Sequence, residues 1–403
     1  MNRREFLLMT AGAAMAARLR ERQTMAAEAP EPVVDLHRHV KEPVQIASLE
    51  LLRAGKVYFL RSTSKRGAVG LAQCNDRVAY LYPILLKKVI PCFLGRDARD
   101  LERLVDRAYV SRSNYKLSGL PFWCCVAYVE FSLLDLLGKL AKKPLGALLG
   151  GVIRTDVPVY LSSLRRDTTP PQEVEWLGKR IEQTGAKAVK LKVGGRMSRN
   201  ADASPGRTDR LIPLARKTWG KNVTIHVDSN GSYDAPKAIE VGRMLQQHDV
   251  YFFEEPCPWE DFEATRQVTD ALEMRVAGGE QDTSFEKFRW YVRHRGLDVV
   301  QPDLTYNGGF VRTLRVARLA AGAGLDITPH CPRGGFDPVY MLHFASVTKN
   351  LGRFQEFRGE LRGSPAWMSP GIKVRNGRLT VPDGPGLGVS VDPDFLKKAK
   401  RIT

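Results

Sequence analysis

Three acids, Asp228, Glu254 and Glu280, recur at intervals of 26 residues, each where a short apolar run gives out: Val-Asp-Ser-Asn, Phe-Glu-Glu-Pro and Gly-Gly-Glu-Gln. An interval of that length holds one strand, one loop and one amphipathic helix. The same texture runs on from Val157. Apolar runs at Val157–Leu161, Ala188–Val193, Thr224–Val227, Tyr251–Glu254, Arg275–Ala277, Asp298–Gln301, Leu325–Thr328 and Arg353–Glu356 alternate with helical stretches such as Glu173–Thr184, Pro236–Gln247, Phe262–Leu272 and Val311–Ala321. About eight such units predict an α/β chain closed into a TIM-type barrel, with every strand end opening on one mouth. A doubly wound sheet is the alternative, but neither a G-x-G-x-x-G turn nor a Walker sequence occurs.

Polar residues at equivalent strand ends share that mouth. Asp228, Glu254 and Glu280 would repel one another there unless a cation joined them, and hard oxygen donors without clustered His or Cys suit Mg²⁺ better than Zn²⁺. Lys190-Leu191-Lys192 ends an otherwise apolar strand, and residues two apart on a strand share a face, so both ammonium groups point at the acids. A lysine beside other cations is a competent base near neutrality. Asp303 follows Gln301-Pro302 and His330 follows Thr328-Pro329, 27 residues on. A carboxylate bonded to one imidazole nitrogen would fix the tautomer and free the other nitrogen for proton transfer. Glu356 lies a further 26 residues on, and Asn230, two after Asp228, is a candidate to contact substrate or support the acids. His226 reads as a barrel-layer residue, and His248, His294 and His343 as surface or packing residues of helices.

Upstream, residues 44–154 are α+β in texture. Gln45–Arg53, Lys56–Ser64 and Ala68–Gln73 read as strands, and apolar spacing predicts a helix over Cys124–Leu140. Residues 30–43 read as a linker, with the histidines of Asp35-Leu36-His37-Arg38-His39 exposed. Met1–Ala29 has the shape of an export signal, and Asn2-Arg3-Arg4-Glu5-Phe6-Leu7 is similar to a twin-arginine motif, so a periplasmic location reached through that machinery is expected. The longest apolar run, Phe6–Ala17, is shorter than the roughly 20 residues that span a bilayer, so no membrane span is expected. The net charge of +18 is dispersed without aromatic interleaving, which argues against nucleic-acid binding. Six cysteines lack zinc-type spacing and read as buried free thiols.

Lys-x-Lys, Asp-x-Asn, Glu-Glu-Pro, Gly-Glu, Gln-Pro-Asp and Thr-Pro-His, in this order at barrel-unit spacing, resemble the enolase superfamily and its mandelate racemase-like subgroup. The resemblance implies a (β/α)7β barrel over 155–357 and a capping domain made by 44–154 together with 358–403, where Pro382-Asp383-Gly384-Pro385-Gly386-Leu387-Gly388 is similar to the family's returning tail. It implies one Mg²⁺ per subunit on Asp228, Glu254 and Glu280, with Lys192 and the His330–Asp303 dyad as bases on opposite faces of a substrate α-carbon. Lys190 and Glu356 would assist the substrate carboxylate. The implied chemistry is proton abstraction next to a carboxylate through a metal-stabilised enediolate. The expected reaction is hydro-lyase dehydration of a sugar acid to a 2-keto-3-deoxy acid in a homo-oligomer, with racemisation or epimerisation of a 2-hydroxy acid as the alternative. A non-catalytic anion-binding protein is the third reading. The family's long loop between the first two capping strands is missing here. Substrate contacts are expected instead from Gln73–Tyr80, Met197–Arg207 or a neighbouring subunit.

Overall fold

A computed structural model describes residues 32–358 and 364–403. The expected export signal, residues 1–29, and the first two residues of the expected linker lie outside them. The cap begins with an antiparallel meander of β1 (Ile46–Ala54), β2 (Val57–Ser64) and β3 (Val69–Cys74). Gly55, at φ +63°, makes the β1–β2 turn so tight that no long loop can arise there. Leu51, Leu60 and Ala72 on one face and Phe59 on the other are wholly buried, and the helix Leu120–Ala141 packs on β2 and β3. This helix is apolar on every face because it is enclosed on every face: it alone among the described helices is long and apolar enough to span a bilayer, yet 89% of its apolar window is buried. It begins before the expected Cys124, where Gly119 at φ +132° and Pro121 open its first turn.

The barrel strands are β4 (Asp156–Ser162), β5 (Ala188–Lys192), β6 (Thr224–Asp228), β7 (Val250–Glu254), β8 (Arg275–Gly278), β9 (Val299–Val300), β10 (Asp326–Ile327) and β11 (Gln355–Phe357). They pair in the order β10-β9-β8-β7-β6-β5-β4-β11, each neighbour parallel. The ring closes where Ile327 exchanges backbone bonds of 3.0 and 2.9 Å with Asn350 and Gly352. Seven helices, from Pro170–Thr184 to Asp337–Val347, alternate with the eight strands, so the (β/α)7β expectation holds. β9 and β10 are shorter than their apolar runs, although Gln301 N to Gly278 O (2.7 Å) and Thr328 N to Val300 O (3.0 Å) carry the ladder on. Tyr160, Ala188, Phe252, Ala277, Val299 and Phe354 fill the interior, and His226 stacks among them at 4.3 Å from the Phe252 ring. Burial holds that imidazole down at about 3, so it is neutral packing.

Two carboxylates of the long helix tie the cap to its surroundings. Asp135 accepts from Leu71 N of β3 (2.8 Å) and from Leu387 N of the C-terminal tail (3.0 Å). Gly386, at φ +69°, is needed there, since a Cβ would lie 2.3 Å from Asp135 Oδ1. The tail then adds strand Lys400–Ile402 antiparallel to β1, with Leu51 opposite Ile402. Glu130 accepts from Val311 N (3.1 Å) at the start of the barrel helix Phe310–Gly322. Burial pushes Glu130 up to about 8 despite that helix end, and its Oε2 is enclosed without a partner.

Residues 34–43, expected as linker, are packed instead. Leu36 and Val40, four apart, are both buried, Leu36–Arg38 forms a 3₁₀ turn capped by Asp35, and His37 reaches Asp100 at 3.1 Å. Their spacing puts the two apolar side chains on one side of that turn, which a Pro-rich polar composition conceals. All six cysteines are free; five are buried and Cys92 is half-buried. His343 is buried and meets Leu387 O at 3.0 Å.

Candidate active site

β5, β6 and β7 deliver their side chains in register. Lys192 lies opposite Asp228, and Asp228 opposite Glu254, at the C-terminal ends of three adjacent strands. Glu280 follows the end of β8, and the ligand atoms of Asp228, Glu254 and Glu280 fall within 4.8 Å of one another, all three buried. Lys190 bridges Glu254 (2.8 and 2.9 Å) and Glu356 (2.8 Å). Lys192 bonds Asp228 Oδ2 and donates to Asn230 Oδ1 at 3.1 Å. Across the mouth, His330 Nδ1 meets Asp303 Oδ2 at 2.9 Å, and its Nε2 lies 3.1 Å from Glu280 Oε2. All nine residues singled out by their strand-end positions therefore meet in one place.

The electrostatics follow from burial opposed by neighbours. Burial pushes Asp228 up, but Lys192, Lys190 and Arg166 outweigh it and hold the group below the usual carboxylate range. For Glu254 burial, reinforced by Asp228, Glu356 and Glu280, outweighs Lys190 and lifts the group to about 8. Lys190 keeps Glu356 down at about 2 against burial. Burial disfavours an imidazolium at His330, yet Glu280 and the Asp303 bond raise it to about 9. Three buried oxygen donors that repel one another, with no His or Cys among them, make a set that a hard divalent cation fits.

Other residues complete the site. Gln301 Nε2 donates to Glu254 Oε2 (2.9 Å), and Arg166 to Asn230 Oδ1 (2.9 Å). Arg333 donates to the same Asp303 oxygen as His330 (2.8 Å), and is itself held by Asp337 (2.5 Å). Asn230 and Glu255, which follow Asp228 and Glu254, sit at φ +45° and +44°, a strained region for non-glycine residues. The strand-end rule applied to β4 would have found Arg166; no sequence signal marks Arg333. A cavity of about 460 Å³ opens over Lys192, Glu280, His330 and Glu356. Of the segments expected to touch substrate, Gln73–Tyr80 contributes Asp76 and Arg77 to its lining, and Met197–Arg207 contributes Met197.

The family model for the enolase C-terminal domain-like fold matches residues 172–395. The chain is 30% identical to the arabinonate dehydratase of Saccharolobus solfataricus over 334 residues, covering 81% of this chain and 84% of that one. Among solved structures, a provisionally assigned racemase from Roseobacter denitrificans is 34% identical with a TM-score of 0.84. A mandelate racemase/muconate lactonizing protein from Paracoccus denitrificans, complexed with magnesium, is 26% identical with a TM-score of 0.81. Each of these alignments spans 89% of this chain and 99% of the other. With the barrel, the cap and the strand-end residues in place, the chain belongs to the enolase superfamily, in its mandelate racemase-like subgroup.

Proposed function

We propose that the protein is a Mg²⁺-dependent hydro-lyase that converts a sugar acid to a 2-keto-3-deoxy acid. The observation that carries this reading is the placement of two proton-transfer groups, Lys192 from β5 and His330 from the end of β10, around one carboxylate cluster. Acid-sugar dehydratases among the relatives support it. Mg²⁺ on Asp228, Glu254 and Glu280 would supply the positive charge that a substrate carboxylate and its enediolate require.

The chain's own groups do the rest. Lys190, fixed between Glu254 and Glu356, presents a cation to the substrate carboxylate. Lys192 Nζ takes the α-proton, and the electron pair left behind enters the enediolate. Asp303 accepts from His330 Nδ1, so Nε2 holds the proton that goes to the departing β-hydroxyl, and water leaves. The enol that remains tautomerises to the keto acid. Arg333 keeps Asp303 ionised, which secures the imidazolium.

A panel of sugar acids incubated with Mg²⁺, and in parallel with EDTA, tests this by 2-keto acid formation and by α-proton exchange in D₂O. Product should appear only with metal, and Lys192→Ala or His330→Asn should lower turnover by about 10²- to 10⁴-fold. Racemisation without keto acid would refute the dehydratase reading. The twin-arginine-like start further supports a periplasmic enzyme exported in its folded state.

A further inference from the structure

Taking the site as that of a sugar-acid dehydratase, we propose that its substrate carries a second anionic group at the end remote from the reacting carboxylate, as an aldaric acid does. The inference rests on two guanidinium groups at the cavity rim that make no ion pair among the described residues. Arg77 comes from the cap, just after β3, and Arg196 from the loop after β5; both line the cavity. Arg77 lies over the Tyr306 ring at 4.9 Å and makes no ion pair. Arg333, over the same ring, is spent on Asp303 and Asp337. Arg196 has a single side-chain partner, the neutral Asn230 Oδ1 at 3.3 Å. Asp76, an exposed acid of the rim, is not within ion-pair distance of either group.

Their positions follow the chemistry beneath. Tyr306, under Arg77, has its ring 6.2 Å from that of His330, and Asn230, under Arg196, is bonded to Lys192. Each guanidinium without an ion pair is therefore one side chain removed from a proton-transfer group, Arg77 through Tyr306 and Arg196 through Asn230, while the acids Glu255, Glu280 and Glu356 are buried. A substrate seated by its first carboxylate at the metal-ligand cluster extends its far end toward these cations. A terminal hydroxymethyl, as in an aldonate, would displace their water without returning charge. A carboxylate, or a phosphate ester at the same carbon, forms charge-assisted bonds about twice as strong as neutral ones.

The test pairs each six-carbon aldonate with the aldarate and the 6-phosphoaldonate of the same configuration, in Mg²⁺, measuring kcat and KM for 2-keto acid formation. One of the two anionic series should be preferred over the aldonates by at least about 100-fold in kcat/KM, and which one is turned over tells carboxylate from phosphate. Arg77→Gln and Arg196→Gln should each shrink that preference by about 10- to 100-fold, chiefly through KM. Aldonates preferred by the unaltered enzyme would overturn the proposal and leave the dehydratase reading intact. So would an equal loss on charged and neutral series, which would make the arginines steering charges only. No keto acid and no α-proton exchange with any series would refute the dehydratase reading itself.

Discussion

Glu130 is a carboxylate folded into apolar surroundings at the junction of cap and barrel, and replacing it with glutamine should change how stability depends on pH. Burial raises its folded pKa from 4.5 to about 8, outweighing the Val311 and Phe310 N–H groups that favour the anion. The native state therefore holds a proton that the unfolded chain releases between those values, so this group's contribution to stability falls as pH rises from about 4.5 through 8. Between pH 5.5 and 8.5 the loss integrates to about 3 kcal/mol. Full burial removes any discount for solvent screening. Glu130→Gln keeps an acceptor for Val311 N–H but has no proton to lose. It also places an amide in the pocket where Oε2 has no partner, a cost that is the same at every pH. Urea unfolding followed by tryptophan fluorescence should thus show the variant less stable than, or equal to, the wild type at pH 5.5, with the wild type losing about 3 kcal/mol more on going to pH 8.5. Curves that run parallel across that range would refute the assignment of a neutral, buried Glu130.

Two further outcomes are expected. Asp135→Asn sets an amide N–H against the backbone N–H of Leu71 or Leu387 and should cost about 2 kcal/mol in urea unfolding, whereas an unchanged midpoint would mean that the tail is held by other contacts. Replacing Arg3 and Arg4 with lysine should leave the protein in the cytoplasmic fraction of a host with twin-arginine transport, and unaltered periplasmic recovery would refute export by that route.

The catalytic floor was legible because a parallel barrel repeats one unit. An acid at each strand end, spaced by that unit, can be located by counting, as Asp228, Glu254 and Glu280 were. The rim was not legible, because Arg77 and Arg196 stand on loops and look like any of the 62 Lys and Arg residues; only their place in the cavity wall, without an acidic partner among the described residues, distinguishes them. Arg333 escapes for the opposite reason, since its two acids lie 30 residues before it and four after, the first reached only because β9 and β10 lie side by side. Glu130 was visible in principle as an acid within an apolar helix, with no cation in the turns on either side of it, which in a folded chain requires either a partner or a proton. The segment at 34–43 misled because its polar and turn residues outnumber the three apolar side chains, Val34, Leu36 and Val40, that pack it.

The strand Lys400–Ile402 has a consequence for the order in which the protein is made. It completes a sheet whose other strands end at Cys74, so β1 keeps an open edge while more than three hundred intervening residues are synthesised. The barrel, contiguous from Asp156 to Phe357, can close first, leaving the half-built cap as the last unit to mature on the ribosome. An unpaired edge of this kind invites other strands, so a prematurely terminated chain would carry a finished catalytic floor beside a surface prone to aggregate or to be captured by a chaperone.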